Sequence, residues 1–586
     1  MERLERSVGE HASIMARMRR SFARSAFWAL VVMGVLGALC AGCGGGSSLP
    51  SSVSASGTSS VAQVRARSTV SAAATPTPKF NTWPTYGYDN AHNGYNPNSK
   101  LFTDASIAQL HLGWEFKLGE SGSQTQPILA TNIGTHAGVL YVGGRSGVEY
   151  AVDALTGTQV WSQSFGSEQM QCVNNGPLLT LGIEGTAVYD PVANVVYIVD
   201  SKNSAPNAAQ TITIYQLNPL TGATLGSVNV TPSNLAGEID FAHTGLTLAA
   251  GTLYVGTGST CDLSSWRGRV AAVTASSMML ANTFFTVYNQ GGTYSGGGVW
   301  GWGGAAIGGA GDVYIGVGNA DINKGKIAPQ PPFQTTTNEQ VGYGEHVVRL
   351  TSDLSTVEAS YAIPYTFNKT ATNLDLSGTP VLYTPVGCPQ VLAIQGKAGI
   401  INFYNAAHID TGPLGSFTFS EAVDNVAFIG NGAYSPLTGL YYVNVPTGEQ
   451  PSQEQPGMVG IGVTNCTTPS IVWDAQFGAD SYNIGSYDGQ PRSAPTVTAG
   501  GVVFVASPQS TGKSQLWALD ATTGNVLNGG TPILTTPNLV RMPPVVDGQW
   551  MYVIDQGGHL YGLTIDSSVP AKQNTFPQVY VPEPAW

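Results

Sequence analysis

The sequence predicts an all-β fold, an eight-bladed β-propeller, and three observations carry that prediction. First, one phrase recurs eight times: a G-x-hydrophobic-Y-V strand, a polar turn, a second strand and often D-x-x-T-G. Its clearest copy is GVLYVGGRSGVEYAVDALTGTQVW (138–161) and its last is QWMYVIDQGGHLYGLTID (549–566). Second, each copy alternates apolar and polar residues between Gly, Asn, Asp and Thr-Gly turns, which is the pattern of hairpins. Third, no long stretch repeats its apolar residues every 3.6 positions, so long helices are not expected. Repeated β-meanders of this size protect their strand edges by closing into a ring.

Ahead of the repeats, Arg17, Arg19, Arg20 and Arg24 precede an apolar run from Ala26 to Leu39. That run is too short to span a bilayer as a helix and reads as a signal peptide over 1–42, with translation starting at Met1, Met15 or Met18. Ala41 and Gly42 before Cys43 resemble a bacterial lipobox, although Cys40 stands where Leu is usual. The prediction is an acylated Cys43. Residues 43–80 are rich in Ser, Ala, Thr and Pro and read as a flexible tether. Residues 81–586 are assigned to the propeller. Within its repeats, Asp153 and Asp520 are expected to cap turn N–H groups and Gly157 and Gly524 to take positive φ. Trp161 is expected to pack between blades. These are structural assignments.

Charge is scarce: Asp, Glu, Lys and Arg make up 10% of the chain, against about 25% in ordinary soluble domains. With 42% apolar residues the chain is not disordered. Removing the leader, with its six Arg and three Glu, moves the formal net charge from -12 to -15, which excludes a nucleic-acid partner. A surface of Ser, Thr, Asn and Gln suits an acidic exterior, where many Lys and Arg would repel one another once carboxylates are protonated. Beyond Cys43 the cysteines are Cys172, Cys261, Cys388 and Cys466. No two have metal-ligand spacing; they can form up to two disulfides or lie buried as small apolar residues. His243 and His346 stand alone and are read as structural.

The A-x-D-x-x-T-G-x-x-x-W stretch at 151–161 is similar to the repeat signature of the quinoprotein (PQQ-type) eight-bladed propellers, and WPTYGYDNAHNGYNPN (83–98) resembles the start of their catalytic domains. Four further stretches resemble their cofactor segments. GVGNADIN implies Asn319 as a calcium-side ligand, TNLDLSGTPVLY implies Asp375 as the catalytic acid-base group, IQGKAGIINFYN implies Lys397 as the quinone contact, and GSTCDLSSWRGRVAAV places Asp262 near an acidic calcium ligand. The resemblance implies that all four converge at one mouth of the central channel. Departures accompany it. MQCVNNG offers Gln171 and a single Cys172 where the dehydrogenases cover the quinone with adjacent bridged cysteines, and there is no C-x-x-C-H haem motif. Glu184 in GIEGT is a further pocket candidate, and Arg492 and Arg541 are candidates for binding an anion. Trp300 and Trp302 either line the channel or pack between blades. Turn capping is the alternative role for Asp375, and a Gly-Asn turn for Asn319.

Because the quinone clamp is degraded while the carboxylate and cation persist, the first expectation is a hydrolase resembling the tetrathionate hydrolases of acidophilic sulfur-oxidising bacteria. Asp375 would activate water, Lys397, Asn319, Asp262, Glu184 and Arg492 would bind a small anionic substrate, and neither cofactor nor metal would be needed. A base working in acid must stay ionised, which a cation such as Lys397 favours. The alternatives are a dehydrogenase for an alcohol or polyol using PQQ and Ca2+, and a non-catalytic propeller lipoprotein of the outer-membrane assembly type. Each places the protein in the periplasm or at the outer membrane, bound through its N-terminal lipid or peripherally, and each is compatible with a homodimer.

Overall fold

The computed structural model describes residues 80–576 apart from 120–121, 172–175, 177, 209, 232–239, 260–265, 288–294, 322–341, 364–374, 377, 398, 420–429, 446–456, 478–492 and 510–511. The leader, Cys43, the tether, Asp262, Arg492, Cys172 and Cys261 lie outside the described residues.

Eight sheets of at least four strands follow one another along the chain, as the repeats predict, antiparallel except where Tyr95–Asn96 joins Thr496–Thr498 in parallel. Blades 1 to 8 begin with Ile128–Ile133, Val188–Asp190, Thr247–Ala249, Ala306–Ile307, Val381–Tyr383, Ala433–Ser435, Thr496–Thr498 and Val545–Asp547. Blade 8 takes its outermost strand from the start of the domain: His111–Lys117 pairs with His559–Thr564 and closes the ring. Period-2 alternation is clear in outermost strands such as Thr468–Gln476. Second strands such as Val502–Pro508 are buried along their whole length, because a blade presses on each of their faces.

The hub is tied by the segment starting at Phe80. Trp83 exchanges two backbone bonds with Leu129 (2.8 and 2.9 Å), and Pro84 O accepts from Tyr189 N (2.8 Å). Asn90 Nδ2 donates to Leu248 O (2.7 Å). Ile307 N, Leu382 N, Tyr434 N and Val497 N donate to the carbonyls of Asn90, Ala91, Asn93 and Gly94 at 2.8–2.9 Å. Asn96 Nδ2 donates to Val546 O (2.6 Å). Those contacts touch the first strand of every blade in turn, or a residue beside it. Tyr86 is fully buried in this strap, donating to Asn431 Oδ1 (2.6 Å).

Neighbouring blades are locked by Trp-on-turn contacts. The Trp161 indole donates to Pro219 O (2.9 Å) in the equivalent turn of blade 2. Trp114 and Trp473 do the same to Ala154 O and Ala521 O (3.0 and 3.3 Å). Asp153 Oδ1 accepts from Leu155 N and Thr156 N (3.0 and 2.9 Å), and Asp520 repeats the arrangement, so both Asp residues are turn caps as expected. Cys388 and Cys466 form a disulfide between turns of blades 5 and 6.

The turn glycine is where this lock is most exposed to substitution. Gly157 has φ 69°, and a Cβ there would stand 2.6 Å from Trp114. Gly251 has φ 79° with nothing within 4 Å. Gly251→Ala should therefore lose only the left-handed backbone term, about 1–2 kcal/mol. Gly157→Ala should lose that and a further ~1–3 kcal/mol of overpacking. Parallel denaturant melts check the difference; equal losses would remove the Trp114 lock from the account.

Candidate functional site

In each blade the first two strands are antiparallel, so the start of the first and the finish of the second emerge at the same end of the hub. Asp375 precedes Val381–Tyr383, Lys397 follows Val391–Gln395, and Asn319 follows Val313–Gly316. Trp300 and His243 stand ahead of the first strands of blades 4 and 3, and Arg145 follows the second strand of blade 1, His136–Gly144. All six belong to one mouth. The strap bonds lie further along the first strands, toward the other end.

The Asp375 carboxyl is 4% exposed and surrounded by donors. Lys397 Nζ reaches Oδ2 at 2.8 Å and Asn319 N donates to Oδ1 at 2.9 Å. The Asn319 amide, turned so that its nitrogen faces the carboxylate, donates to Oδ2 at 3.1 Å and also to Oδ1. The main chain pins the group: Lys397 N donates to Asp375 O (2.9 Å) and Leu376 N donates to Glu345 Oε2 (3.2 Å). Gly318 is small for a reason, since a Cβ there would lie 2.3 Å from Asp375 Oδ1 and 2.6 Å from Trp300 Nε1. The sequence therefore brings Asp375, Lys397 and Asn319 together as expected. Asn319, however, spends its amide on the carboxylate.

The indole nitrogen of Trp300 is buried with no hydrogen-bond partner among the described residues, while Trp302 belongs to the core beside Tyr86. His243 is not a remote structural residue. Its ring meets Trp300 edge-on at 5.5 Å and its Nδ1 is buried without a partner among the described residues. Burial, reinforced by the charges of Lys397, Arg145 and Arg541, pushes it down to about 3, so the imidazole is neutral across ordinary pH. Three cations thus converge on this ring, and Arg541, one of the anion candidates, is among them. Glu184 is buried and ion-paired with Arg145 (3.3 Å), with Gln124 bridging the two. A solitary His in FAHTG carries no spacing signal, which is why sequence alone does not place it here. His346 is structural: it is buried against Gly344 O at 2.6 Å.

The cations and the indole fit a flat polyanion such as PQQ. For calcium the fit is poorer. Among the described residues no group of three His, Cys, Asp or Glu is placed to hold a metal, and Asp262 lies outside them.

The sequence matches no family model and no curated protein. Solved structures do match. The quinohemoprotein alcohol dehydrogenase ADHIIG of Pseudomonas putida HK5 aligns at TM-score 0.57 and 17% identity, over 86% of this chain and 82% of that one. The quinohemoprotein alcohol dehydrogenase of Comamonas testosteroni aligns at 0.55 and 16%, over 84% and 82%. A europium-containing methanol dehydrogenase aligns at 0.54 and 14%, over 82% and 98%. At these identities the likeness establishes the eight-bladed propeller of the PQQ-dependent dehydrogenases as the fold of this chain.

The ion pair makes a testable demand. Lys397→Met leaves a buried carboxylate without its cation and should cost about 3 kcal/mol. Combined with Asp375→Asn, the loss should fall short of the sum of the single losses by at least about 1 kcal/mol. Urea unfolding of the four proteins checks this; strict additivity would mean that the two side chains do not interact.

Proposed function

We propose that this mouth is the active site of an exported quinoprotein-type dehydrogenase for an alcohol or polyol, with Asp375 as the proton acceptor. The observation that carries the reading is the buried Asp375 carboxylate, fixed by Lys397 and Asn319 beside an indole and two further cations, Arg145 and Arg541. The dehydrogenases whose structures match span most of this chain and support oxidation over the hydrolysis expected first. They also favour a bound quinone over a cofactor-free site. PQQ, when bound, supplies the two-electron acceptor; Arg145, Lys397 and Arg541 would hold its carboxylates and Trp300 would give it an apolar wall. Asp375 takes the proton of the substrate hydroxyl at one carboxyl oxygen. The Asn319 N–H donors keep that group aimed, and Lys397 balances its charge before the proton arrives.

A second reading rests on a specific feature. The charge facing Asp375 is a lysine, and three cations surround a neutral His243, a setting that also suits a small anion such as a polythionate attacked by an Asp375-activated water.

Asp375→Asn is nearly isosteric and cannot accept a proton. It should fold normally and lose about 10²–10⁴-fold in turnover. Alcohol oxidation after loading with PQQ and Ca2+ is to be assayed beside tetrathionate hydrolysis at low pH. Activity in the first assay alone supports the dehydrogenase, activity in the second alone supports the hydrolase, and an undiminished mutant removes Asp375 from both.

A further inference from the structure

Between blades 1 and 2 the chain forms a hairpin that belongs to neither, Glu168–Met170 paired with Leu179–Leu181. Met170, Leu179 and Leu181 form a buried cluster with Phe241, and Trp300 packs against it. The hairpin therefore backs the indole that borders Asp375. Among the described residues, blade 2 holds it through five hydrogen bonds of Asn203 and Asn207, including Asn207 N to Gln169 O (3.0 Å) and Asn207 Nδ2 to Gln171 O (3.1 Å). Gln169 N donates to Asn203 Oδ1 (2.9 Å), Asn203 Nδ2 donates to Gln169 O (3.0 Å), and Gln171 N donates to Asn207 Oδ1 (2.8 Å).

Glu168, the first residue of the hairpin, is fully buried, and neither carboxyl oxygen has a hydrogen-bond partner among the described residues. The charged groups around it are three other acids. Asp200 lies on Val195–Asn203, fully buried, with both oxygens unpartnered among the described residues. Asp240, ahead of Phe241–Ala242, is ion-paired with Arg269 and accepts from Gln210. Glu184 is paired with Arg145. Lys202 is the cation that acts on Asp200. Four carboxyl groups thus share a buried region in which Arg269 and Arg145 are ion-paired with Asp240 and Glu184, while the Lys202 ammonium donates to Phe165 O (3.4 Å) and the Tyr215 hydroxyl (3.2 Å). Without a proton on Glu168 the region holds an uncompensated charge, which an interior of low polarity does not tolerate.

We propose that this hairpin is an acid-dependent clasp on the active-site mouth, seated behind Trp300 while Glu168 and Asp200 are protonated and released when they ionise. Burial pushes Glu168 up to about 9, with Asp240, Asp200 and Glu184 adding to it, and pushes Asp200 up to about 8. Both lie above the ordinary carboxyl range of roughly 4. Their contribution to seating is complete below pH ~4 and is lost as pH rises toward those values. The functional consequence rests on the mouth being the active site; the seating itself does not.

Hydrogen exchange of the full chain, read by mass spectrometry at pH 4 to 9 and corrected for intrinsic rates, tests it without any activity assay. In the wild type, amides of 168–171 and 178–182 should lose at least tenfold protection between acid and mildly alkaline pH, while the strand Val502–Pro508 keeps its own. Glu168→Gln has nothing to ionise there and should move that loss upward by one pH unit or more. Asp200→Asn should move it in the same direction, and serves if the first variant does not fold. Protection independent of pH in the wild type, or variants with the wild-type profile, would overturn the clasp. Loss of turnover without this exchange signature would count against the clasp and leave the dehydrogenase reading standing.

Discussion

A propeller's blades are separate sheets, and no strand ladder runs from one blade to the next. What sets their arrangement here is a single strap around Trp83–Asn96 that hydrogen-bonds to every blade at the hub. Burying Tyr86 and Trp83 completely makes the strap part of the core rather than an attachment to it. Everything at the opposite end of the hub inherits its position from that ring. Asp375 and Lys397 belong to blade 5, Asn319 and Trp300 to blade 4, His243 to blade 3 and Arg145 to blade 1. A rotation of one blade would separate groups that now sit within hydrogen-bond distance. The Trp indoles that reach into the next blade's turn resist that rotation at the rim.

Burial decides the electrostatics of the site. A buried carboxylate persists only if something opposes its charge, and Lys397 does so for Asp375. Where nothing opposes it, the carboxyl is held neutral. Glu149, buried in blade 1 with both oxygens unpartnered among the described residues, is raised well above its ordinary value by burial. With Glu168 and Asp200 it gives the interior a set of acids that favour the folded state at low pH and oppose it as pH rises. A charge-poor surface and neutral buried carboxyls are compatible with the same acidic exterior.

The fold was legible because its grammar is local and repeated. An Asp cap, a positive-φ glycine and a Trp four residues on each have one job, and all three do it at Asp153, Gly157 and Trp161. The Asp375–Lys397–Asn319 group was legible through segments that resemble the quinoproteins. What the sequence could not show is which way a short polar side chain turns, so the Asn319 amide was expected on a ligand and is found on Asp375. His243, Trp300 as distinct from Trp302, and Glu168 were not separable from structural residues. Their roles come from contacts between segments far apart in the chain, and nothing local marks them. Asp262 and Arg492 lie outside the described residues.

If the strap fills its own end of the hub, a ligand enters only at the Asp375 mouth. A crystal structure of the wild-type protein soaked with PQQ, and separately with tetrathionate, tests it directly. Difference density is expected beside Trp300, within contact of Asp375 or Lys397, for at least one of the two. Density on the strap side of the hub, among Thr85, Tyr88 and Tyr189, would contradict it. So would a mouth that stays empty while either compound is bound or turned over elsewhere on the molecule.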